Sequence, residues 1–184
     1  YELTGADALF ATSVGTTTVD GAVALPYVVR VGDATHVRVV YAREGRLVGA
    51  ADPLVGDGGV LLDETTLSVW DGRLVANCRI QGFEGRGSGA RYLAWGDGHT
   101  WEGGRLWECD DPGCNARMIG SLFVHPGRVD ARADGEIVRL TPPWEGEVRA
   151  EVVASFGDGA FGYSDATVDG DEAVAVFERD RGLW

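Results

Sequence analysis

Short apolar runs broken by polar positions recur along the whole chain with a period of two residues, the spacing of a strand with one buried face. Residues 22–29, 35–42, 59–62, 66–70, 73–80, 90–95, 121–125, 128–133, 137–140, 148–155, 166–168 and 173–178 each read as a strand rich in valine and leucine. Turn signals separate them: Asp20-Gly21, Gly32-Asp33, Asp71-Gly72, Asp134-Gly135, Gly157-Asp158-Gly159 and Asp169-Gly170. No span of about eleven residues carries a helical apolar stripe, so helix is expected to be scarce. Regular short strands joined by Asp-Gly turns specify an all-β sandwich, barrel or propeller.

Composition fits one domain across residues 1–184, with 45% hydrophobic and 24% charged residues. A net charge of −13 repels phosphate backbones, so no nucleic-acid partner is expected, and an anionic ligand would need a local cluster of arginines. All sixteen basic residues are arginine. No run approaches the ~18 apolar residues of a membrane span, and Tyr1-Glu2-Leu3-Thr4 shows no signal-peptide succession. Cys78, Cys109 and Cys114 are too few for a disulfide framework. Buried thiols are expected, and a bridge between Cys109 and Cys114 is left open. A zinc site from those two with His125 lacks a fourth ligand and paired C-x-x-C spacing, so neither metal nor other cofactor is expected. The run Gly82-Phe83-Glu84-Gly85-Arg86-Gly87-Ser88-Gly89 lacks the ending of a phosphate-binding loop and reads as a loop after Arg79.

Five landmarks follow one another in order: Asp20-Gly21-Ala22-Val23-Ala24-Leu25-Pro26; Glu64 ahead of Asn77-Cys78-Arg79; Pro112-Gly113-Cys114-Asn115; Gly127-Arg128-Val129-Asp130; and Gly162-Tyr163-Ser164-Asp165, followed by Phe177-Glu178-Arg179. Together they resemble the exo-sialidases (neuraminidases) of the bacterial and animal type, retaining glycoside hydrolases built as six-bladed β-propellers with Asp-box repeats. The hairpin Ala94-Trp95-Gly96-Asp97-Gly98-His99-Thr100-Trp101 is similar to a degenerate Asp-box, with Ala94 at the usual serine and Asp97 one place late. About twelve strands at four per blade make about three blades, whereas closed propellers need roughly four to eight. The resemblance therefore implies the C-terminal half of a propeller. An open arc exposes unpaired edges, so a missing N-terminal half, covalent or associated, is the expected partner.

The same resemblance implies site residues. Tyr163 stands at the nucleophile: a sialoside carries its own carboxylate at the anomeric carbon, and a neutral phenol avoids the like-charge approach of a glutamate. A phenol with a reference pKa of about 10 needs a base beside it, and Glu64 matches that base, with Asp63 as the alternative register. Arg79 and Arg128 resemble two arginines that grip the substrate carboxylate, and Arg132, on the same face of the expected strand 128–133, is the alternative to Arg128. Glu178 corresponds to a glutamate that orients a further arginine. No Phe/Tyr-Arg-Ile-Pro segment carrying that arginine is present, and the family's general-acid aspartate also belongs to the missing part. The implied activity is exo-α-sialidase hydrolysis of sialylated glycans with retention, in a secreted or cell-surface setting. The alternative is a non-catalytic sialic-acid- or carbohydrate-binding or interaction module on the same fold.

Overall fold

The computed structural model describes residues 8–11, 17–81, 89–170, 172–179 and 182–183. The expected loop over residues 82–88 lies outside them. The described residues are mostly strand, with no α-helix among them. The first sheet holds β1 (Ala8–Ala11), β2 (Thr17–Val19), β3 (Ala22–Val31), β4 (Ala34–Arg43), β5 (Arg46–Ala50) and β6 (Leu54–Val55). After one 3₁₀ turn at Asp57–Gly59, the second holds β7 (Leu61–Trp70), β8 (Arg73–Gln81), β9 (Ala90–Gly96) and β10 (Trp101–Glu108) in simple antiparallel order. The third holds β11 (Arg117–Ile119), β12 (Leu122–Pro126), β13 (Gly135–Leu140) and β14 (Ala150–Ser155), and the last β15 (Ser164–Asp169), β16 (Glu172–Arg179) and β17 (Gly182–Leu183).

The four sheets stack face to face, one apolar layer in each gap. Val37, Val39, Leu67, Ala76 and Cys78 fill the first gap, Val75, Leu93, Trp107, Met118 and Phe123 the second, and Val124, Phe161, Ala166 and Phe177 the third. Burial on both faces explains why β8 and β9 read as near-continuous apolar runs. The leading strands β7, β11 and β15 lie side by side, which is a propeller arrangement with those strands innermost. The sheets do not close into a ring. The outer face of the first sheet leaves Val23 and Leu47 43% and 48% exposed, and that of the last leaves Val174 and Val176 52% and 47% exposed.

Asp20-Gly21 and Asp71-Gly72 adopt positive φ at both residues, as two-residue hairpins require (49° and 72°, 48° and 75°). Several strand expectations change, since the short strands β1, β2, β5, β6, β11 and β17 are absent from the sequence reading, and three further differences bear on the site. Residues 59–62 and 66–70 merge into the single strand β7, interrupted by a bulge: Leu62 pairs Ile80 and Thr65 pairs Cys78, so Asp63 and Glu64 together oppose Arg79. Strand β10 was not expected, because Gly103 and Gly104 interrupt its pattern. Both are required there, since an added Cβ would come within 2.5 Å of the Trp95 ring and 2.3 Å of the Tyr92 hydroxyl. Residues 128–133 form a loop and no strand. Arg128 is held by Asp130 two residues on, Gly127 N–H donates to Asp134 C=O at 3.0 Å, and Asp134 sits at φ 54°, so local bonds displace a ladder.

Candidate active site

Glu64, at the start of β7, and Tyr163, just ahead of β15, lie where chain enters two of the inner strands, and Arg79 reaches them from near the end of β8. The bulge delivers Glu64 from the start of β7 to Arg79 near the end of β8. Arg79 Nη1 donates to Glu64 Oε2 at 2.9 Å and lies 4.0 Å from Asp63 Oδ2. Asp63 has a second donor, Gln81 Nε2, at 2.7 Å, and its carbonyl accepts from Thr65 Oγ1 at 2.7 Å, which locks the bulge. Arg79 and Glu64 are each about one-quarter exposed (25% and 24%), so a solute reaches them while water screens them only partly. Burial pulls the Arg79 guanidinium down, but its bonds to Glu64 and the charge of Asp63 override this and raise it.

Tyr163 arrives from the other side of the inner seam. Its hydroxyl donates to Glu64 Oε1 at 3.3 Å, leaving Oε2 to Arg79. The two oxygens of one carboxylate thus serve a phenol and a guanidinium. The turn before β15 is fixed by its neighbours: Gly162 N–H donates to Glu178 C=O at 2.8 Å, Glu178 N–H donates to Tyr163 C=O at 3.0 Å, and Ser164 Oγ donates to Val124 C=O at 3.1 Å. Phe161, just upstream, is buried and stacks on Phe177 at 4.5 Å and Phe156 at 5.3 Å. Partial burial and the Glu64 charge push the Tyr163 phenol above its ordinary value, and the Arg132 charge opposes this.

Arg132 is the arginine that reaches Tyr163, its Cζ lying 5.2 Å from the ring centroid. The placement follows from backbone pairing. Phe161 N–H donates to Arg132 C=O at 2.9 Å, Ala133 bridges Ala160, and Asp134 N–H donates to Gly159 C=O at 2.9 Å. Arg128 is not brought to this group. Its guanidinium is exposed and forked onto Asp130 at 3.0 and 2.9 Å, with Asp134 at 3.8 Å. Glu178 contributes backbone bonds to Tyr163, and its carboxylate lies over Gly162, where an added Cβ would meet Oε2 at 2.9 Å.

Behind the site is a buried ionic group that sequence reading missed. Arg91, directly opposite Arg79 across the β8–β9 pair, is 1% exposed and donates to Asp111 Oδ2 at 2.9 Å and to the Cys114 carbonyl. Asp111 also accepts from Gly113 N–H at 2.8 Å, which shapes the loop carrying Cys114. His125 lies between two carboxylates, Nδ1 3.6 Å from Asp111 and Nε2 3.3 Å from Glu136; these are ionic contacts, not aligned hydrogen bonds. The sequence signal was present as charged residues inside apolar strands, Arg91 in β9 and His125 in β12. All three cysteines are free thiols, and among the described residues no group of His, Cys, Asp and Glu could hold a metal. At the hairpin similar to an Asp-box, Asp97 Oδ1 accepts from His99 and Thr100 N–H at 2.7 Å each, and these bonds lower its carboxyl.

No protein-family model and no curated protein sequence matches the chain. Solved structures do. The subtype N11 neuraminidase-like protein of A/flat-faced bat/Peru matches with a TM-score of 0.65 at 13% identity, over 95% of this chain and 57% of that one. The subtype N10 neuraminidase-like protein of A/little yellow-shouldered bat/Guatemala matches at 0.63 and 10%, over 96% and 64%. A Trypanosoma rangeli sialidase in complex with 2,3-difluorosialic acid, a covalent intermediate, matches at 0.60 and 15%, over 97% and 31%. The chain spans less than two-thirds of each of these proteins. At such identities the likeness establishes architecture alone: the fold is that of the sialidase and neuraminidase-like β-propellers, present here as an open set of sheets.

Proposed function

We propose that this chain is the C-terminal portion of an exo-α-sialidase propeller, supplying nucleophile, base and two carboxylate-binding arginines for retaining hydrolysis of terminal sialic acids. The observation that carries the reading is the carboxylate of Glu64, bonded to the Tyr163 phenol through one oxygen and to Arg79 through the other. A phenol is a weak nucleophile until a base takes its proton, and this pair meets the requirement of nucleophile and base within hydrogen-bond reach. Arg79 and Arg132 flank the phenol and present permanent charge to an anionic sugar, against the −13 of the whole chain.

In the proposed reaction the sialoside carboxylate lies on Arg79 and Arg132. Tyr163 Oη attacks the anomeric carbon while its proton passes to Glu64 Oε1. The bond to the leaving oxygen breaks, and that oxygen takes a proton from an acid outside these residues. Water then attacks the anomeric carbon, giving its proton to the acid that is now deprotonated, while the bond to Tyr163 Oη breaks and Glu64 returns its proton to the phenolate, so the sugar leaves with retained configuration. No metal or organic cofactor enters the scheme.

The test is turnover of a sialoside bearing a fluorogenic phenol, whose departure needs little acid assistance. Release of fluorophore by the folded protein, lost in Y163F and E64Q, supports the reading. Sialoside binding without release favours the non-catalytic binding module on the same fold. Mass in solution reports whether the open sheets are completed by a second polypeptide.

A further inference from the structure

Arg79 is shared and under-used at once. Its Nη1 faces both Glu64 Oε2, at 2.9 Å, and Asp63 Oδ2, at 4.0 Å, while its buried Nε has no hydrogen-bond partner among the described residues. Two carboxylates already balance this one cation, so a third anion beside them is repelled unless one lets go. The two are not held alike. Asp63 is tied to Gln81 Nε2 at 2.7 Å and sits in a bulge locked by Thr65. Glu64 has another partner, Tyr163, on its second oxygen. Glu64 is therefore the carboxylate free to turn away.

Resting on the sialidase reading, we propose that a ligand carboxylate takes Arg79 from Glu64 while Asp63 keeps the guanidinium seated, so that ligand binding itself releases the base acting on Tyr163. The exchange changes the chemistry of Glu64 in a definite direction. In the free protein one oxygen of its carboxylate is committed to the Arg79 guanidinium and the other to the Tyr163 hydroxyl. After exchange the cation is neutralised by the ligand, a new negative charge lies nearby, and Glu64 holds a proton more strongly. The nucleophile is deprotonated only when a substrate is in place. Asp63 is a positioning residue in this scheme: it does not touch the reacting atoms, and it keeps Arg79 from following Glu64.

The measurement is calorimetric titration of the protein with the α-methyl glycoside of sialic acid near pH ~5, in buffers of differing ionisation enthalpy, which counts protons taken up on binding. The expected result is net uptake by the wild-type protein, absent in E64Q and absent when the ligand is the methyl ester, whose carboxylate is blocked. D63N is expected to retain uptake but to bind about two- to fivefold more weakly, the effect of losing a partly exposed ionic contact. Binding without proton uptake, uptake that persists in E64Q or with the ester, or D63N affinity equal to wild type each overturns this inference and leaves the sialidase reading standing. No binding of the glycoside to the wild-type protein overturns both. The ester arm needs no variant, so the result does not depend on E64Q folding.

Discussion

Tyr163 Oη donates to Glu64 Oε1 at 3.3 Å across 99 positions of sequence. The contact depends on a bulge in one sheet and a turn fixed by the edge of another. Removing either partner separates chemistry from stability. E64Q keeps the shape and loses the base, so fluorogenic sialoside turnover is expected to fall by about 10²–10⁴-fold. Y163F removes the nucleophile and should fall at least as far. Both groups are partly exposed, so thermal melting should move little. A Y163F variant with wild-type turnover removes the phenol from the mechanism.

Arg132 and Arg128 make opposite predictions from one loop. Arg132 lies over the Tyr163 ring, and its backbone is bonded to Phe161; Arg128 is exposed and satisfied by its own neighbours Asp130 and Asp134. R132A should weaken sialoside binding by about 1.5–3 kcal/mol, the worth of a charged hydrogen bond. R128A should leave affinity and melting temperature unchanged. Titration of the two variants with the same glycoside decides the matter, and a larger loss in R128A reverses the assignment.

The sequence pattern made the β class legible, because strand period is a local signal, and the resemblance to exo-sialidases singled out Tyr163, Glu64 and Arg79, which lie in one hydrogen-bonded group. What it hid is equally physical. The period-two placement of Arg128, Asp130 and Arg132 looks like one face of a strand, but a side-chain fork between the first two and a backbone bond from Gly127 to Asp134 close the segment into a loop. The choice between Asp63 and Glu64 needed the bulge, which places both opposite Arg79 and sends only Glu64 to Tyr163. Strand β10 was masked by glycines whose reason is the bulk of Trp95 and Tyr92 on the neighbouring strand. Only the choice of Glu64 rested on a contact far along the chain; the other misses came from side-chain and cross-strand contacts that a period-two pattern does not encode.

Gly135 ties the fold to the site. An added Cβ there would lie 1.9 Å from the Phe161 ring, which packs in a three-ring cluster with Phe156 and Phe177 just ahead of Tyr163. G135A should cost about 1–3 kcal/mol by overpacking and tilt the segment carrying the phenol, so turnover falls further than the loss of folded protein accounts for. Gly49 supplies the control, since its added Cβ would meet only Tyr41 at an ordinary 3.8 Å. Denaturant unfolding together with turnover per folded molecule gives the comparison. Equal stability of G135A and G49A contradicts the packing argument.

The buried group Arg91, Asp111, His125 and Glu136 should write itself into the pH dependence of stability. Burial pulls the His125 imidazole down, but Asp111 and Glu136 outweigh it and raise it above its ordinary value. A raised folded value means that the stabilisation is complete below the unfolded pKa of about 6.5 and is lost as pH rises through the folded one. Asp111 runs the other way. Burial alone would push its carboxyl up, yet the Arg91 charge and His125 hold it at about 2, so its contribution is present above an unfolded value of about 3.9 and is lost as pH falls toward about 2. Stability should therefore decline on both sides of a plateau lying between roughly pH 4 and 6.5. H125Q should abolish the alkaline decline, and it should destabilise the protein at pH 6 by about 3–5 kcal/mol, because two carboxylates lose a buried cation. Chemical denaturation of both proteins across pH 3–9 is the check. An alkaline decline that survives in H125Q assigns the titration to another group and removes His125 from the account.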